Sequence, residues 1–276
     1  MLVSSKEVLI HAKENNYAIP APDYIDIDMA RVFCQTAESL NKPVILSYAQ
    51  SFEEILSLEE AAIIGRYWGE KVSTPVVLHL DHGTDFEFIK RAIDLGFTSV
   101  MIDASMKPFD ENVAITKKVV EYAHLRGISV EAEIGHVGSG DNYESHDHSD
   151  SIYTTKEEAL AFVQQTNVDS LAVSIGTAHG IYKGGTPKLS FDTLHDIAST
   201  IDQPLVLHGG SGTGDQALNR CAKEGISKIN IFTDFLVAAT KALQESDVSD
   251  YFQLKTIANK AMEDVLIHYY KIFETQ

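Results

Sequence analysis

The chain has 276 residues, 44% of them apolar, which suits one large domain with a substantial core. Its formal net charge of −18 argues against nucleic acid or an anionic membrane as a partner, because both require a basic surface. The sequence has neither a transmembrane stretch of about 18 or more apolar residues nor the pattern of a secretory signal, so we expect a cytoplasmic protein. Cys34 and Cys221 are expected to be packed free thiols.

Short apolar runs alternate with longer amphipathic segments along the chain, a pattern typical of parallel strands joined by helices. The predicted strands are Tyr17–Ile19, Val44–Ser47, Val76–Leu80, Ser99–Ile102, Ser129–Ile134, Ser170–Ser174, Leu205–Leu207 and Lys228–Ile231. The predicted helices between and after them are Asp28–Leu40, Leu58–Lys71, Phe86–Leu95, Asn112–Arg126, Lys156–Gln165, Phe191–Ser199, Asp215–Glu224 and Asp234–Gln244.

This alternation predicts an α/β fold, a single-domain (β/α)8 TIM barrel over residues 1–276. Extra helices are expected near Ser5–Glu14 at the N-terminus and near Phe252–Phe273 at the C-terminus. The alternative is a doubly wound open sheet. That fold predicts a glycine-rich turn after the first strand, whereas the residues from Ala18 to Asp23 include no glycine, so the barrel is preferred.

Histidines follow three of the predicted strands. His82 comes after the third strand, His179 after the sixth and His208 after the seventh. Because the carboxyl ends of barrel strands converge on one face, these three imidazoles can hold one zinc ion and leave its fourth position open. His79 lies inside its strand and is expected to be a hydrogen-bonded core residue. Asp81 and His82 are expected to converge only where the chain turns at Gly83.

Two turns on neighbouring strands are candidates for a phosphate site. Gly209–Gly212 precedes one predicted helix, and the residues from Asn230 to Asp234 precede the next. Helix N-termini offer unpaired N–H groups, and phosphate sites recur after the last two strands of barrels. Lys183 is a further candidate for a phosphate contact. A metal beside a phosphate site predicts chemistry on a phosphorylated carbonyl compound.

The polar stretch from Gly138 to Ser151 follows the fifth predicted strand. Its position and its glycine and serine content suit either a mobile lid over the site or a solvent-exposed surface loop. The sequence does not decide between these two alternatives.

The chain resembles the class II, zinc-dependent ketose-bisphosphate aldolases, which cleave fructose or tagatose bisphosphates. The likeness extends over most of the chain, and its motifs occur in order from the third to the eighth strand. They are His79-Leu80-Asp81-His82-Gly83, Val100-Met101-Ile102-Asp103-Ala104-Ser105, Val130-Glu131-Ala132-Glu133-Ile134-Gly135, His179-Gly180-Ile181-Tyr182-Lys183-Gly184, Leu207-His208-Gly209-Gly210-Ser211-Gly212, and Lys228-Ile229-Asn230 with Thr233.

The resemblance implies a zinc enzyme in which Asp81 exchanges a proton with the aldehyde half of a sugar phosphate. His82, His179 and His208 would hold Zn²⁺, and Asp103 and Glu133 would form an alternate metal position. A monovalent cation, Na⁺ or K⁺, would bind near Gly180 and Gly209, and the protein would be a homodimer or homotetramer. The residues implied to bind the phosphorylated ketone are Gly180, Gly209, Gly210, Ser211, Asn230, Ile231, Phe232 and Thr233.

Three departures from the family pattern concern the loop after the fifth strand and the residues near the other end of the substrate. Asp141 stands where the family has the loop glutamate that exchanges the C3 proton. Asp23 stands where the family has asparagine, and Ala49 where it often has a hydroxyl residue. We therefore hypothesise an aldolase whose preferred aldehyde partner is not simply glyceraldehyde 3-phosphate.

Three other functions are alternatives to a zinc-dependent aldolase. A Schiff-base aldolase needs a lysine at a strand end inside the barrel, and Lys228 is expected at the opposite face. A metal-dependent amidohydrolase needs a His-x-His pair on the first strand, which the residues from Tyr17 to Pro22 do not provide. The third is a catalytically weak sugar-phosphate binding protein.

Overall fold

The computed structural model of the chain describes residues 1–135, 138–139, 153–179 and 187–276. Helices and strands alternate through these ranges. The strands are β1 (Ile19–Pro22), β2 (Val44–Ala49), β3 (Val76–Gly83), β4 (Ser99–Ile102), β5 (Ser129–Ile134), β6 (Gly138–Ser139), β7 (Ser170–Val173), β8 (Ala178–His179), β9 (Leu205–Leu207) and β10 (Ile226–Ile231). The helices are α1 (Ser5–Glu14), α2 (Ile27–Leu40), α3 (Leu58–Lys71), α4 (Phe86–Asp94), α5 (Phe109–His124), α6 (Lys156–Thr166), α7 (Phe191–Ala198), α8 (Asp215–Lys223), α9 (Thr233–Gln244) and α10 (Tyr251–Ile272).

Eight of these strands form one parallel sheet in the order β1-β10-β9-β7-β5-β4-β3-β2. A parallel bridge between Asp23 and Ser47 joins the two ends of that order. The sheet therefore closes into a barrel, and the predicted (β/α)8 fold with extra terminal helices α1 and α10 is confirmed. The two-residue strands β6 and β8 pair with each other beyond the ends of β5 and β7.

The predicted elements differ from the observed ones by up to three residues at their bounds, and β3, for example, ends at Gly83 rather than at the predicted Leu80. β1 occupies Ile19–Pro22 rather than Tyr17–Ile19, and it pairs with β10 along its whole length. Helix α5 begins at Phe109, three residues before the predicted Asn112. Pro108 precedes it, and Asp110 and Glu111 lie in its first turn, where acidic side chains favour the helix dipole.

The barrel interior changes character along its axis. At the amino end Ile19, Ala21, Ile45 and Val77 pack together and against Leu9 of α1, which closes this end. Side chains of alternate strand residues point the same way. On β3, Val77, His79 and Asp81 therefore all point into the barrel. Beyond Val77, polar and charged residues line the interior, among them His79 and Asp81 on β3, Glu131 and Glu133 on β5, and Lys228 and Asn230 on β10. The apolar floor thus supports a polar layer at the carboxyl end.

The outward faces of the strands pack against the helices in a large apolar core. Two helices of this layer, α3 and α6, begin with capping boxes, in which Ser57 and Thr155 are the N-cap residues.

Among the helices in the described ranges, none is both long enough and apolar enough to span a membrane.

Candidate functional site

His82 lies at the carboxyl end of β3 with a left-handed backbone, at φ 46°. This conformation reverses the alternation of the strand, so the side chains of Asp81 and His82 face the same region. The Oδ2 atom of Asp81 lies 3.7 Å from Nε2 of His82. The predicted convergence therefore occurs at His82 itself rather than at Gly83. On the other side of the ring, Nδ1 of His82 is 2.9 Å from Oδ2 of Asp103.

His208 follows β9 and is fully buried. Its Nε2 atom lies 2.9 Å from Oε1 of Glu131, an inward-facing carboxylate of β5. Its Nδ1 atom faces Nε2 of His82 across 2.9 Å, and the two ring centroids are 4.6 Å apart. The third and seventh βα connections thus bring two imidazoles together, each with one nitrogen on a carboxylate.

The donor set around this pair fits a divalent metal such as zinc. Asp81, His82 and His208 each offer one ligand atom, and these three atoms lie within 4.8 Å of one another. Metal-ligating histidines commonly place their other ring nitrogen on a carboxylate, as Asp103 and Glu131 are placed here. Burial alone would lower the pKa of His82, but Asp81 and Asp103 raise it to about 10, so the position strongly favours positive charge.

The third predicted zinc ligand cannot be placed in the same way. The backbone of His179 forms β8 and pairs with Ser139, whereas its side chain is outside the described residues. Gly180 and Lys183, predicted to contact phosphate, and Asp141, the predicted loop acid, also lie outside the described residues.

Asp103 and Glu133 form a second metal-competent group with His82, again with ligand atoms within 4.8 Å. Burial raises the pKa of Asp103, but hydrogen bonds from His82 and Ser105 outweigh it and keep that pKa below its ordinary value. Glu133 is 1% exposed and lies two residues beyond Glu131 on the same face of β5. The residues predicted to form an alternate metal position therefore surround the same imidazole.

Lys228 occupies the centre of the polar layer, contrary to the expectation that it lies at the opposite face. Lys228 is the third residue of β10, which begins at Ile226, and its long side chain extends along the barrel axis toward the carboxyl end. Its Nζ atom donates to both oxygens of Glu131, at 2.9 and 2.8 Å, and lies 3.0 Å from Nε2 of His79. Burial raises the pKa of Glu131, but the charge of Lys228 and the bond from His208 lower it to about 2.

His79 is a satisfied core histidine, as expected. Its Nδ1 atom lies 2.8 Å from Oγ of Ser99, which in turn donates to Oγ of Ser5 in helix α1. These links extend through the barrel as one hydrogen-bonded series, which we call the polar column. In order from the floor to the site, it consists of Ser5, Ser99, His79, Lys228, Glu131, His208, His82 and Asp103.

Asp81 is 2% exposed and accepts a hydrogen bond from Nδ2 of Asn230 at 2.9 Å. Burial raises its pKa, but the positive charges of His82 and Lys228 outweigh this effect. The net result holds the pKa of Asp81 well below its ordinary value. An ionised carboxylate is thus fixed beside the paired imidazoles, where it can accept a proton.

The two predicted phosphate turns are hydrogen-bonded to each other. The Gly210 N–H donates to the carbonyl oxygen of Asn230 at 3.1 Å. The hydroxyl of Ser211 accepts from the backbone N–H groups of Phe232 and Asp234 at 3.2 and 3.3 Å, at the start of α9. Of the predicted ketone-binding residues, the structure brings together those within its described ranges: Gly209, Gly210, Ser211, Asn230, Ile231, Phe232 and Thr233.

The sequence reasoning did not single out Glu131 or Lys228 as site residues. Spacing gave one signal: Glu131 and Glu133 are two acids on one face of a strand in which every residue is buried. Lys228 gave a second signal, because it is the one charged residue of a strand in which every residue is buried. A buried charge requires a partner, and each of these residues supplies one for the other.

Comparisons with known proteins agree with this geometry. The family model described as "Fructose-bisphosphate aldolase class-II" matches residues 3–276. A fructose-bisphosphate aldolase of Staphylococcus epidermidis is 42% identical over 251 residues, covering 88% of this chain and 85% of the relative. A D-tagatose-1,6-bisphosphate aldolase subunit GatY of Klebsiella oxytoca is 37% identical over 270 residues, covering 96% and 95%.

A solved structure shows the same likeness in three dimensions. The crystal structure of the YdjI aldolase from Escherichia coli K12 superposes with a TM-score of 0.89 at 33% identity, covering 99% of this chain and 97% of that one. With the family matched along almost the whole sequence, the chain belongs to the class II fructose-bisphosphate aldolase family and is an aldolase, a carbon–carbon lyase of carbohydrate metabolism.

Proposed function

We propose that this aldolase cleaves a ketose phosphate or bisphosphate to dihydroxyacetone phosphate and an aldehyde, with Zn²⁺ as its metal. The observation that carries the proposal is the pair of facing imidazole nitrogens, 2.9 Å apart, beside the buried carboxylate of Asp81. Relatives named for fructose and tagatose bisphosphates support the substrate class.

His82, His179 and His208 are the proposed zinc ligands. When bound, zinc supplies a Lewis acid toward the ketone oxygen of the substrate. Asp103 orients the ring of His82 through Nδ1, and Glu131 orients the ring of His208 through Nε2. Asp103 and Glu133 are proposed as the alternate metal position, and a monovalent cation, Na⁺ or K⁺, is proposed near Gly180 and Gly209.

Asp81 is proposed to move the proton at the aldehyde half. In cleavage its carboxylate takes the proton of the C4 hydroxyl while the C3–C4 bond breaks, and in condensation it returns that proton. Asn230 holds Oδ1 of Asp81, which leaves Oδ2, on the side of His82, directed at the substrate. Asp141 is proposed to exchange the C3 proton of the dihydroxyacetone phosphate half.

The joined turns are proposed to bind the phosphate of the ketone half. They comprise Gly209–Ser211 and the residues from Asn230 to Thr233, with the N-terminus of α9 contributing its dipole. Gly180 and Lys183 are proposed to complete this subsite. By analogy with the family, the protein is proposed to be a cytoplasmic homodimer or homotetramer.

Chelation and zinc reconstitution test the proposal. We expect the purified protein to lose aldol cleavage in EDTA and to regain it with Zn²⁺, and we expect His208→Ala to lose both bound zinc and turnover. Persistent activity of zinc-free protein, checked by elemental analysis, contradicts the proposal. Because Lys228 lies inside the barrel, borohydride trapping with substrate is an informative second test. A substrate adduct on Lys228 would replace the zinc mechanism with a Schiff-base mechanism.

A further inference from the structure

Asp23 lies at the carboxyl end of the barrel, next to the residues that surround Asp81. Asp23 directly follows β1, in which Ile19 and Ala21 point into the barrel. Because Asp23 is two residues after Ala21, its side chain points the same way. Its backbone bridges to Ser47 of β2. Ala21 is paired with Asn230, the residue that donates to Asp81. Asp23 is 6% exposed, so its carboxyl group is held inside the polar layer.

Two oxygens in this region lack a hydrogen-bond partner among the residues that the structure describes. They are Oδ1 of Asp23 and Oδ1 of Asn230, and both are buried. A buried oxygen without a donor is energetically unfavourable, so such groups normally have a partner in the functioning protein. Both oxygens flank Asp81, the residue proposed to act on the aldehyde half. A ligand that supplies O–H donors satisfies them.

A hydroxylated carbon suits this position better than a phosphate does. Asp23 and Asp81 already place two buried carboxyl groups in this part of the polar layer, so a further anion is unfavourable here. Burial, and then the negative charge of Asp81, also raise the pKa of Asp23 well above its ordinary value. The cations that act on Asp23 are His82 and Lys228, and both are already hydrogen-bonded to other carboxylates. Ala49, paired with Asp81 on the neighbouring strand, has no polar group to offer a phosphate. A sugar hydroxyl can both donate and accept, and a phosphate dianion can only accept.

We propose that Asp23 and Asn230 form a binding site for hydroxyl groups of the aldehyde half of the substrate, and that this aldolase prefers a hydroxylated aldehyde without a phosphate. The matching cleavage substrate is a ketose 1-phosphate whose far end is uncharged. This inference rests on the proposed function and specifies its substrate class.

Condensation with dihydroxyacetone phosphate tests the proposal directly. The zinc-loaded enzyme is supplied with glyceraldehyde, with propionaldehyde, which lacks the hydroxyls, or with glyceraldehyde 3-phosphate. We expect kcat/KM for glyceraldehyde to exceed that of either other aldehyde by about tenfold or more. In Asp23→Ala, the preference for glyceraldehyde over propionaldehyde should fall to about twofold or less. Asp23→Asn, which keeps a hydrogen-bonding side chain, should restore part of it.

Asp26→Asn is the matched control, because it removes a nearby carboxylate outside the barrel and asparagine caps α2 as well as aspartate does. It should leave the ratio unchanged, and zinc content should stay equal in all variants. A preference of the wild type for glyceraldehyde 3-phosphate, or an unchanged ratio in Asp23→Ala, overturns the inference. Wild-type protein that condenses none of the aldehydes instead overturns the proposed function.

Discussion

Glu131→Gln is the substitution whose effects the structure defines most fully. The carboxylate is 1% exposed and receives three hydrogen bonds, two from Lys228 and one from His208. A glutamine can keep its amide oxygen at the Oε1 position, where it still accepts. Its NH₂ group then takes the Oε2 position and meets the ammonium of Lys228, another donor. The substitution therefore removes the closest counterion of a buried cation and leaves only the carboxylate of Asp81, at 3.7 Å.

The expected loss of stability follows from that unpaired charge. Removing one partner of a buried ion pair costs about 3–5 kcal/mol. For a chain of this size the melting temperature should fall by on the order of 10 °C. Removing both charges is far less costly, so Glu131→Gln/Lys228→Met should recover to within about 2 kcal/mol of wild type. Zinc affinity should not recover, because His208 still lacks an anionic partner, and it should stay about 10–100-fold weaker.

Two measurements separate these effects. Urea unfolding of metal-free protein gives the free energy of unfolding without a contribution from bound metal. Competition with a chromophoric chelator gives the zinc affinity. If Lys228→Met fails to rescue the stability of Glu131→Gln, the ion-pair reasoning is wrong. If the double variant binds zinc as tightly as wild type, Glu131 does not support His208.

Three further predictions concern a helix cap, the thiols and the glycine turn. Ser57→Ala should lower the free energy of unfolding by about 1 kcal/mol through loss of the α3 capping box, and an unchanged urea midpoint would contradict this. Burial raises the pKa of Cys34 and of Cys221 to about 12, so at pH 8 only about one thiol in 10⁴ is ionised. Alkylation should therefore be slow at pH 8 until urea unfolds the chain, and rapid labelling of native protein would disprove the burial argument. Gly210→Ala places a Cβ 2.8 Å from the carbonyl oxygen of Asn230, so KM for the ketose phosphate should rise about tenfold. An unchanged KM in steady-state kinetics would exclude this turn from the phosphate site.

Periodicity was sufficient to predict the barrel because buried parallel strands and amphipathic helices have distinct repeats. It did not reveal how far a side chain reaches. Lys228 is the register partner of Ile19, near the floor, yet its ammonium lies 3.7 Å from Oδ1 of Asp81. That depends on side-chain length and on the irregular register between Ile226 and Lys228, neither of which a hydrophobic pattern encodes.

The site was predictable where its residues follow strand ends. Asp81 and His82 were expected to converge, but the sequence placed the turn at Gly83, because left-handed backbone is usually assigned to glycine. The structure places it at His82, where packing of the surrounding layer holds a non-glycine residue at positive φ. Asp23 was noticeable only as a departure from a family motif. The position of its oxygen, which has no partner among the described residues, depends on the closure between β1 and β2, and this is a property of the assembled barrel.

The polar column has a consequence for which nitrogen of each imidazole carries hydrogen. An ammonium has only donors and an ionised carboxylate only acceptors, so the Lys228–Glu131 pair assigns the histidines on either side. His79 accepts at Nε2 and therefore bears its hydrogen at Nδ1, toward Ser99. His208 donates from Nε2 and therefore directs the lone pair of Nδ1 toward Nε2 of His82. One ion pair therefore selects the tautomer of both rings, and a charge near the barrel axis determines which His208 nitrogen faces the proposed metal position.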